Sequence, residues 1–254
     1  MDALLKKDEI LNDLLGYEGL KIIQDPSRFN FSLDSTLLAH FVTLRKDNQK
    51  ILDLCTGNAP VPLMLTLRTT AQIDAVEIQA DSASQASRSI SINKLEKQIK
   101  IHHQDLKGVH RKLGISNYDI ITCNPPYFKV GTASNLNKNK ALTIARHEIA
   151  ITLDEIVHEV ALLLRPGGRF AMVHRPDRLA EIILTFKNYR LEPKRLRFIY
   201  PRLSKQANGL LIEGVFDGQA GGLRLEAPLI VYTEESTNYT QEILDIFHLK
   251  RRWR

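Results

Sequence analysis

The sequence predicts an α/β domain: a mostly parallel sheet with helices on both faces and antiparallel strands at one edge. Three observations carry this. From Lys50 onward, apolar runs of strand length alternate with stretches of helical periodicity, the pattern of successive βα units. The late runs carry more charge and are punctuated by Asp217-Gly218 and Gly221-Gly222, as hairpin strands at a sheet edge are. A chain of 254 residues with 43% hydrophobic and 25% charged content suits one large domain with a small extension.

Taken in order, Leu4, Leu5, Ile10, Leu11, Leu14 and Leu15 recur near helical spacing and predict an amphipathic helix over residues 2–15, ended by Gly16. An extended piece follows over 20–24. Ser32 can cap a helix that has Asp34 in its first turn and carries Leu37, Leu38, Phe41 and Val42. Residues 1–49 thus read as an N-terminal helical extension that packs on the ligand site of the domain formed by 50–254. Within that domain the predicted elements are strand 50–54, helix 60–69, strand 71–77, helix 79–95, strand 98–104 and strand 118–123. A helix over 153–164, a turn at Arg165-Pro166-Gly167-Gly168, a strand over 169–174 and a helix over 177–187 continue the rhythm. Strands near 195–201, 209–217 and 228–232 close it.

Composition excludes several classes. The longest apolar runs are far too short to cross a bilayer, and Lys6, Lys7, Asp8 and Glu9 interrupt the N-terminus where a signal peptide would be apolar. A soluble, cytoplasmic protein is expected. Cys55 and Cys123 have no metal-ligand spacing, so neither a disulfide framework nor a metal site is implied. The balance is basic, +6 with a pI near 9.3, and Lys187, Arg190, Lys194, Arg195, Arg197, Arg202 and Lys205 crowd the last third. Such a surface is either a footprint for a polyanion or solvated charge that keeps the chain in solution.

In open α/β sheets ligands bind beyond the carboxyl ends of the strands. The first strand ends in Asp53-Leu54-Cys55-Thr56-Gly57-Asn58-Ala59, a turn of small residues ahead of an apolar helix. The second ends at Glu77-Ile78, where an acid can accept from a ribose diol, and the third at Asp105-Leu106, where an acid can accept from the amine of an adenine. Together they describe an adenosine pocket that needs no pyrophosphate cradle. The fourth strand delivers Asn124-Pro125-Pro126-Tyr127-Phe128 into the same crevice. Asn124 offers a side-chain carbonyl, and Pro125 has no N–H to compete with its own carbonyl. Two such acceptors suit an sp² amine, whose lone pair they free for attack on a methyl group. Tyr127 supplies a flat face on which stacking is worth about 1–3 kcal/mol per base.

These residues resemble the class I S-adenosylmethionine-dependent methyltransferases that carry an NPPY motif. The chain is similar in particular to the bacterial tRNA1(Val) adenine-37 N6-methyltransferases, through Phe31-Ser32-Leu33-Asp34-Ser35, the stretch from Asp53 to Pro60, Asn124 to Phe128, Ala145-Arg146-His147-Glu148 and Pro228 to Tyr232. The resemblance implies a Rossmann-like, seven-stranded fold, S-adenosylmethionine as cofactor, tRNA as partner and no metal. It places Phe31, Ser32, Asp34, Asp53, Gly57 and Asn58 at the methionine end of the cofactor. Glu77 and Ile78 fall at its ribose, Asp105 and Leu106 at its adenine, and Asn124, Pro125, Pro126 and Tyr127 at the target amine. Cys55 and Ala59 stand where the family's turn has glycines. In the polar stretch after Phe128, Lys138 and Lys140 would face the substrate, and Arg146 and His147 would contact it or serve only as local caps beside Glu148.

Two other readings share parts of this pattern. An amide nitrogen fits the same acceptors, so N5-methylation of a glutamine in a protein such as a release factor is one. A non-catalytic RNA-binding module would use the basic surface and leave Glu77, Asp105 and NPPY without a role.

Overall fold

A computed structural model describes residues 5–14, 17–27, 33–125 and 151–247. The apolar runs after Lys50 form the centre of one sheet: β3 (Lys50–Leu54), β4 (Gln72–Glu77), β5 (Ile99–His103), β6 (Tyr118–Cys123), β7 (Leu164–His174), β8 (Leu191–Tyr200) and β9 (Gly209–Phe216). They are ordered β8-β9-β7-β6-β3-β4-β5, and all run parallel except β9. Two short strands, β10 (Arg224–Leu225) and β11 (Leu229–Ile230), line the outer edge of β8 and bring the sheet to nine.

Every position of β6 is buried, which is why it reads as a continuous apolar run instead of an alternation. One face is covered by α1 (Leu33–Phe41), α2 (Pro60–Leu65), α3 (Ala80–Ile92) and α7 (Gln241–Phe247), with Leu37, Leu38, Leu63, Met64, Ile90 and Ile243 packed against Ile51, Ile73 and Ile120. The other is covered by α5 (Leu153–Leu163) and α6 (Leu179–Asn188), whose Ile156, Val160, Ile182 and Phe186 meet Leu52, Ile121 and Phe170. A short α4 (His110–Leu113) links β5 to β6. Among the described residues no helix is long and apolar enough to cross a membrane.

Three expectations are corrected. Residues within the predicted helix 2–15 form a strand, β1 (Ile10–Leu14), paired antiparallel with β2 (Tyr17–Gln24). A helix of that length is marginal alone, whereas the hairpin gains cross-strand pairs: Asn12 Nδ2 donates to Gln24 Oε1 at 2.6 Å, and Lys21 pairs with Asp13 at 2.5 Å. The turn at Arg165 to Gly168 does not precede its strand but interrupts it, because pairing with β6 holds at Leu164 and resumes at Arg169. Gly168 is required there, since a Cβ would lie 2.8 Å from the Arg165 carbonyl oxygen. Finally, the chain after β9 makes no hairpin with it. It crosses to the far side of β8 and pairs in parallel, so the antiparallel character rests on β9 alone.

Candidate active site

Strand β3 is the switch point of the sheet, with β4 and β5 on one side and β6 and β7 on the other. A crevice therefore opens beyond its carboxyl end. The predicted residues Asp53, Gly57, Asn58, Glu77, Ile78, Asp105, Leu106, Asn124 and Pro125 all fall on the ends of β3, β4, β5 and β6 or just after them. Asp34 lies in the first turn of α1. Phe31, Ser32, Pro126, Tyr127, Phe128, Lys138, Lys140, Arg146 and His147 lie outside the described residues.

The loop after β3 is as tight as a glycine-rich one. Cys55, Gly57 and Ala59 take φ of 55°, 58° and 69°, all left-handed. Holding a Cβ in that region costs roughly 1–2 kcal/mol per residue, so Cys55 and Ala59 are strained where glycine would not be. The Gly57 N–H donates to Glu77 Oε2 at 2.8 Å, and the Gln79 N–H donates to Oε1 at 2.8 Å. These bonds aim the Glu77 carboxylate across the loop. Burial nevertheless raises its pKa above the usual carboxylate range. Asn58 faces the other way: its Nδ2 donates to the Ile23 carbonyl at 2.8 Å and fastens the loop to β2.

Asp53 is 1% exposed and accepts from Thr122 Oγ1 at 2.6 Å. Burial pushes its carboxyl up to about 7, a rise that the Thr122 bond reduces and the neighbouring Glu77 charge reinforces. Asp53 and Thr122 are direct register partners on β3 and β6, so a polar pair was detectable from the two runs KILDL and YDIITC once the strands were set side by side. Asn124 is held from α1: its Nδ2 donates to Ser35 Oγ at 3.1 Å. Thr122 carries no motif of its own and Ser35 stands only at the end of the stretch from Phe31, so sequence reasoning gave neither a role.

At β5 the Lys107 N–H donates to Asp105 Oδ1 at 2.9 Å, leaving the carboxylate exposed at the mouth of the crevice. The Leu106 side chain is buried in the core, so it offers a ligand only its backbone. Ile78, by contrast, is 41% exposed beside buried Glu77.

The family model for the methyltransferase small domain matches residues 27–198, well over half of the chain. The chain belongs to that family. Among curated relatives of this methyltransferase, the tRNA1(Val) (adenine(37)-N6)-methyltransferase of Phocaeicola vulgatus is 26% identical over 234 residues, 91% of this chain and 97% of that protein. The enzyme of the same name from Parabacteroides distasonis is 27% identical over 243 residues, 94% of this chain and 99% of its own. Among solved structures, an Agrobacterium tumefaciens protein described as a predicted O-methyltransferase matches with a TM-score of 0.68 at 20% identity, over 87% of this chain and 98% of its own. A geranyl diphosphate C-methyltransferase from Streptomyces coelicolor, solved with Mg2+, geranyl diphosphate and S-adenosyl-L-homocysteine, matches with a TM-score of 0.55 at 11% identity, over 72% and 77%. These likenesses show the class I methyltransferase fold.

S-adenosylmethionine is the cofactor of this methyltransferase, and the residues present fit it. A Cβ added at Gly57 would meet nothing within 4 Å, so the loop leaves room at its tip. Gln104 Nε2, just after β5, is buried with no hydrogen-bond partner among the described residues, and Thr56 Oγ1, just after β3, is buried against the Asp53 carboxyl. An unmet buried donor or acceptor costs roughly 1–3 kcal/mol, which a polar ligand in the crevice can relieve. Among the described residues no group of three or more His, Cys, Asp and Glu is placed to hold a metal ion.

The basic last third is largely committed within the chain. Lys187 pairs with Glu192, Arg190 with Asp217, Arg195 with Glu226 and Arg197 with Glu242, while Arg202 donates to the carbonyls of Thr233 and Ser236. Lys187 and Arg190 also precede β8, which runs parallel to β7, and so lie at the opposite end of the sheet from the crevice. Outside the described segments stand nine lysines and arginines against two acids; within them, twenty-six stand against twenty-seven. The positive excess thus belongs to residues 28–32, 126–150 and 248–254.

Proposed function

We propose that this protein transfers the methyl group of S-adenosylmethionine to the exocyclic N6 of an adenine in tRNA, with A37 of valine tRNA as the target. The observation that carries the reading is Asn124, set at the end of β6 beside the crevice and held by Ser35. The names of the curated relatives, which match this chain over nearly its whole length, support the substrate.

The cofactor supplies a methyl carbon made electrophilic by its sulfonium. The chain does the rest. Asn124 Oδ1 and the Pro125 carbonyl accept the two N–H bonds of the adenine amine, drawing its lone pair out of conjugation with the ring. Tyr127 is the stacking face that holds the base once it has left its own stack, at a cost of a few kcal/mol. Glu77 takes the ribose hydroxyls, and its two backbone bonds keep it aimed at them. Asp105 accepts from the adenine amine of the cofactor. Asp53 lies at the methionine end, where a cationic ammonium favours its ionised form, so cofactor binding expels a proton near neutral pH. Lys138, Lys140, Arg146 and His147 belong to the cationic stretch that meets the RNA.

Incubation with methyl-labelled S-adenosylmethionine and either unmodified bulk tRNA or a release factor tests the reading. Label in the tRNA is expected. Label confined to protein would move the assignment to glutamine, and an absence of heat on titration with S-adenosylmethionine would reduce the chain to a binding module.

A further inference from the structure

Glu159, on α5, is 5% exposed, and everything it binds belongs to the loop after β5. Its Oε1 accepts from the Gly108 N–H at 2.8 Å, and its Oε2 accepts from the His110 N–H at 3.2 Å and lies 2.8 Å from His110 Nδ1. One turn earlier on the same helix, Glu155 pairs with Lys107 at 2.9 Å. The loop from Asp105 to His110 is thus hung from α5 by its backbone. Leu106 and Val109 are buried in the core under it, so neither end of the loop can slide without breaking these bonds or uncovering apolar surface. Gly108 sits at φ +75°, a conformation that turns the chain there and that other residues rarely adopt. Asp105, within this suspended loop, has its own Oδ1 fixed by the Lys107 N–H.

We infer that Glu159 is a positioning residue for cofactor recognition: it sets the place of Asp105 and so the enzyme's preference for an adenine over a base lacking the exocyclic amine. The inference rests on the proposed reading of Asp105 as the adenine acceptor. A carboxylate suits the task because three donors converge on it from one short loop, and losing it leaves two half-buried backbone N–H groups unmet. Glu159 touches neither the cofactor nor the target, so its effect appears in the discrimination between cofactor bases and not in the transfer step.

The test compares S-adenosylhomocysteine with S-inosylhomocysteine, in which a carbonyl replaces the exocyclic amine and N1 carries a proton, by titration calorimetry on the full chain. Wild type is expected to prefer the adenosyl compound by roughly tenfold, the worth of one good hydrogen bond. Glu159→Ala should cut the preference to about threefold or less, Glu159→Gln should fall between, and binding of the inosyl compound should change little. Equal weakening of both ligands, or an unchanged ratio, would overturn the inference. Should Glu159→Ala fail to fold, Gly108→Ala strains the same loop at its positive φ and is read by the same ratio. A wild type that binds neither compound would instead refute the cofactor reading on which the inference stands.

Discussion

The strand ends of β3, β4 and β5 and the β8–β9 edge are both rich in polar side chains, and the two regions use them in opposite ways. At the strand ends, Glu77 and Asp53 are buried with raised pKa values, and Gln104 keeps a buried Nε2 without a partner among the described residues. At the edge, the charges close on one another: Glu213, fully buried, takes Arg169 at 2.7 Å and both the N–H and hydroxyl of Thr43, and Arg195 stacks over Phe41 while pairing with Glu226. Polar groups that satisfy each other hold a fold. Polar groups that are buried and left wanting mark where a ligand enters.

Four measurements can break or sharpen that contrast. The largest effect is expected at Asn124. Replacing it with alanine removes the acceptor proposed for the target amine and should lower the methylation rate by roughly 10²–10³, while the Kd for S-adenosylmethionine stays within a few-fold. Joint loss of both would place Asn124 in cofactor binding. Next comes Glu213→Leu, which strands the Arg169 guanidinium and should cost about 3–5 kcal/mol in chemical unfolding, without a change in Kd for the cofactor. A cost below 1 kcal/mol would mean the edge network is not structural.

Asp53 gives a smaller effect of opposite sign. Its folded pKa is raised from 3.8 to about 7, so the native state binds the extra proton, and the apo protein should lose stability as pH rises from about 4 to about 7. Asp53→Asn should abolish that slope and stabilise the apo protein at pH 8 by a few kcal/mol, while weakening cofactor binding, as ligand sites commonly do when their strain is removed. Wild-type affinity for the cofactor should rise with pH through about 7. A stability curve that instead climbs over this window would contradict the buried, protonated carboxyl. The smallest effect is none at all: Lys187→Gln with Arg190→Gln should leave tRNA affinity and its salt dependence unchanged. Neutralising Lys250, Arg251, Arg252 and Arg254 should flatten the salt slope, since each lost phosphate contact lowers it by about one.

Much of the fold was legible because buried parallel strands write themselves as apolar runs: Lys50–Leu54 and Tyr118–Cys123 were read to the residue. The acids at the strand ends, Asp53, Glu77 and Asp105, were legible because they stand out against those runs. What failed did so for stated reasons. Ile10 to Leu14 has spacing that fits a helix, and only the partner strand at Tyr17–Gln24 decides otherwise. The basic third stayed open between a footprint and solvated charge because a list of lysines and arginines does not show the acids that fold onto them. Ser35, Thr122 and Glu159 were silent because each acts through another residue, on a pairing that the sheet creates and the sequence does not display.

Mapping the methylated nucleoside is the most direct test. A valine tRNA transcript incubated with the enzyme and S-adenosylmethionine, then digested and analysed by mass spectrometry, should yield N6-methyladenosine in the fragment containing A37 with wild type. An A37→G transcript should yield none, and the Asn124→Ala protein should form it more slowly by roughly 10²–10³. Methylation of a different base, or undiminished N6-methyladenosine with Asn124→Ala, would contradict the assignment of the crevice beyond β6 as the place where the adenine amine is received.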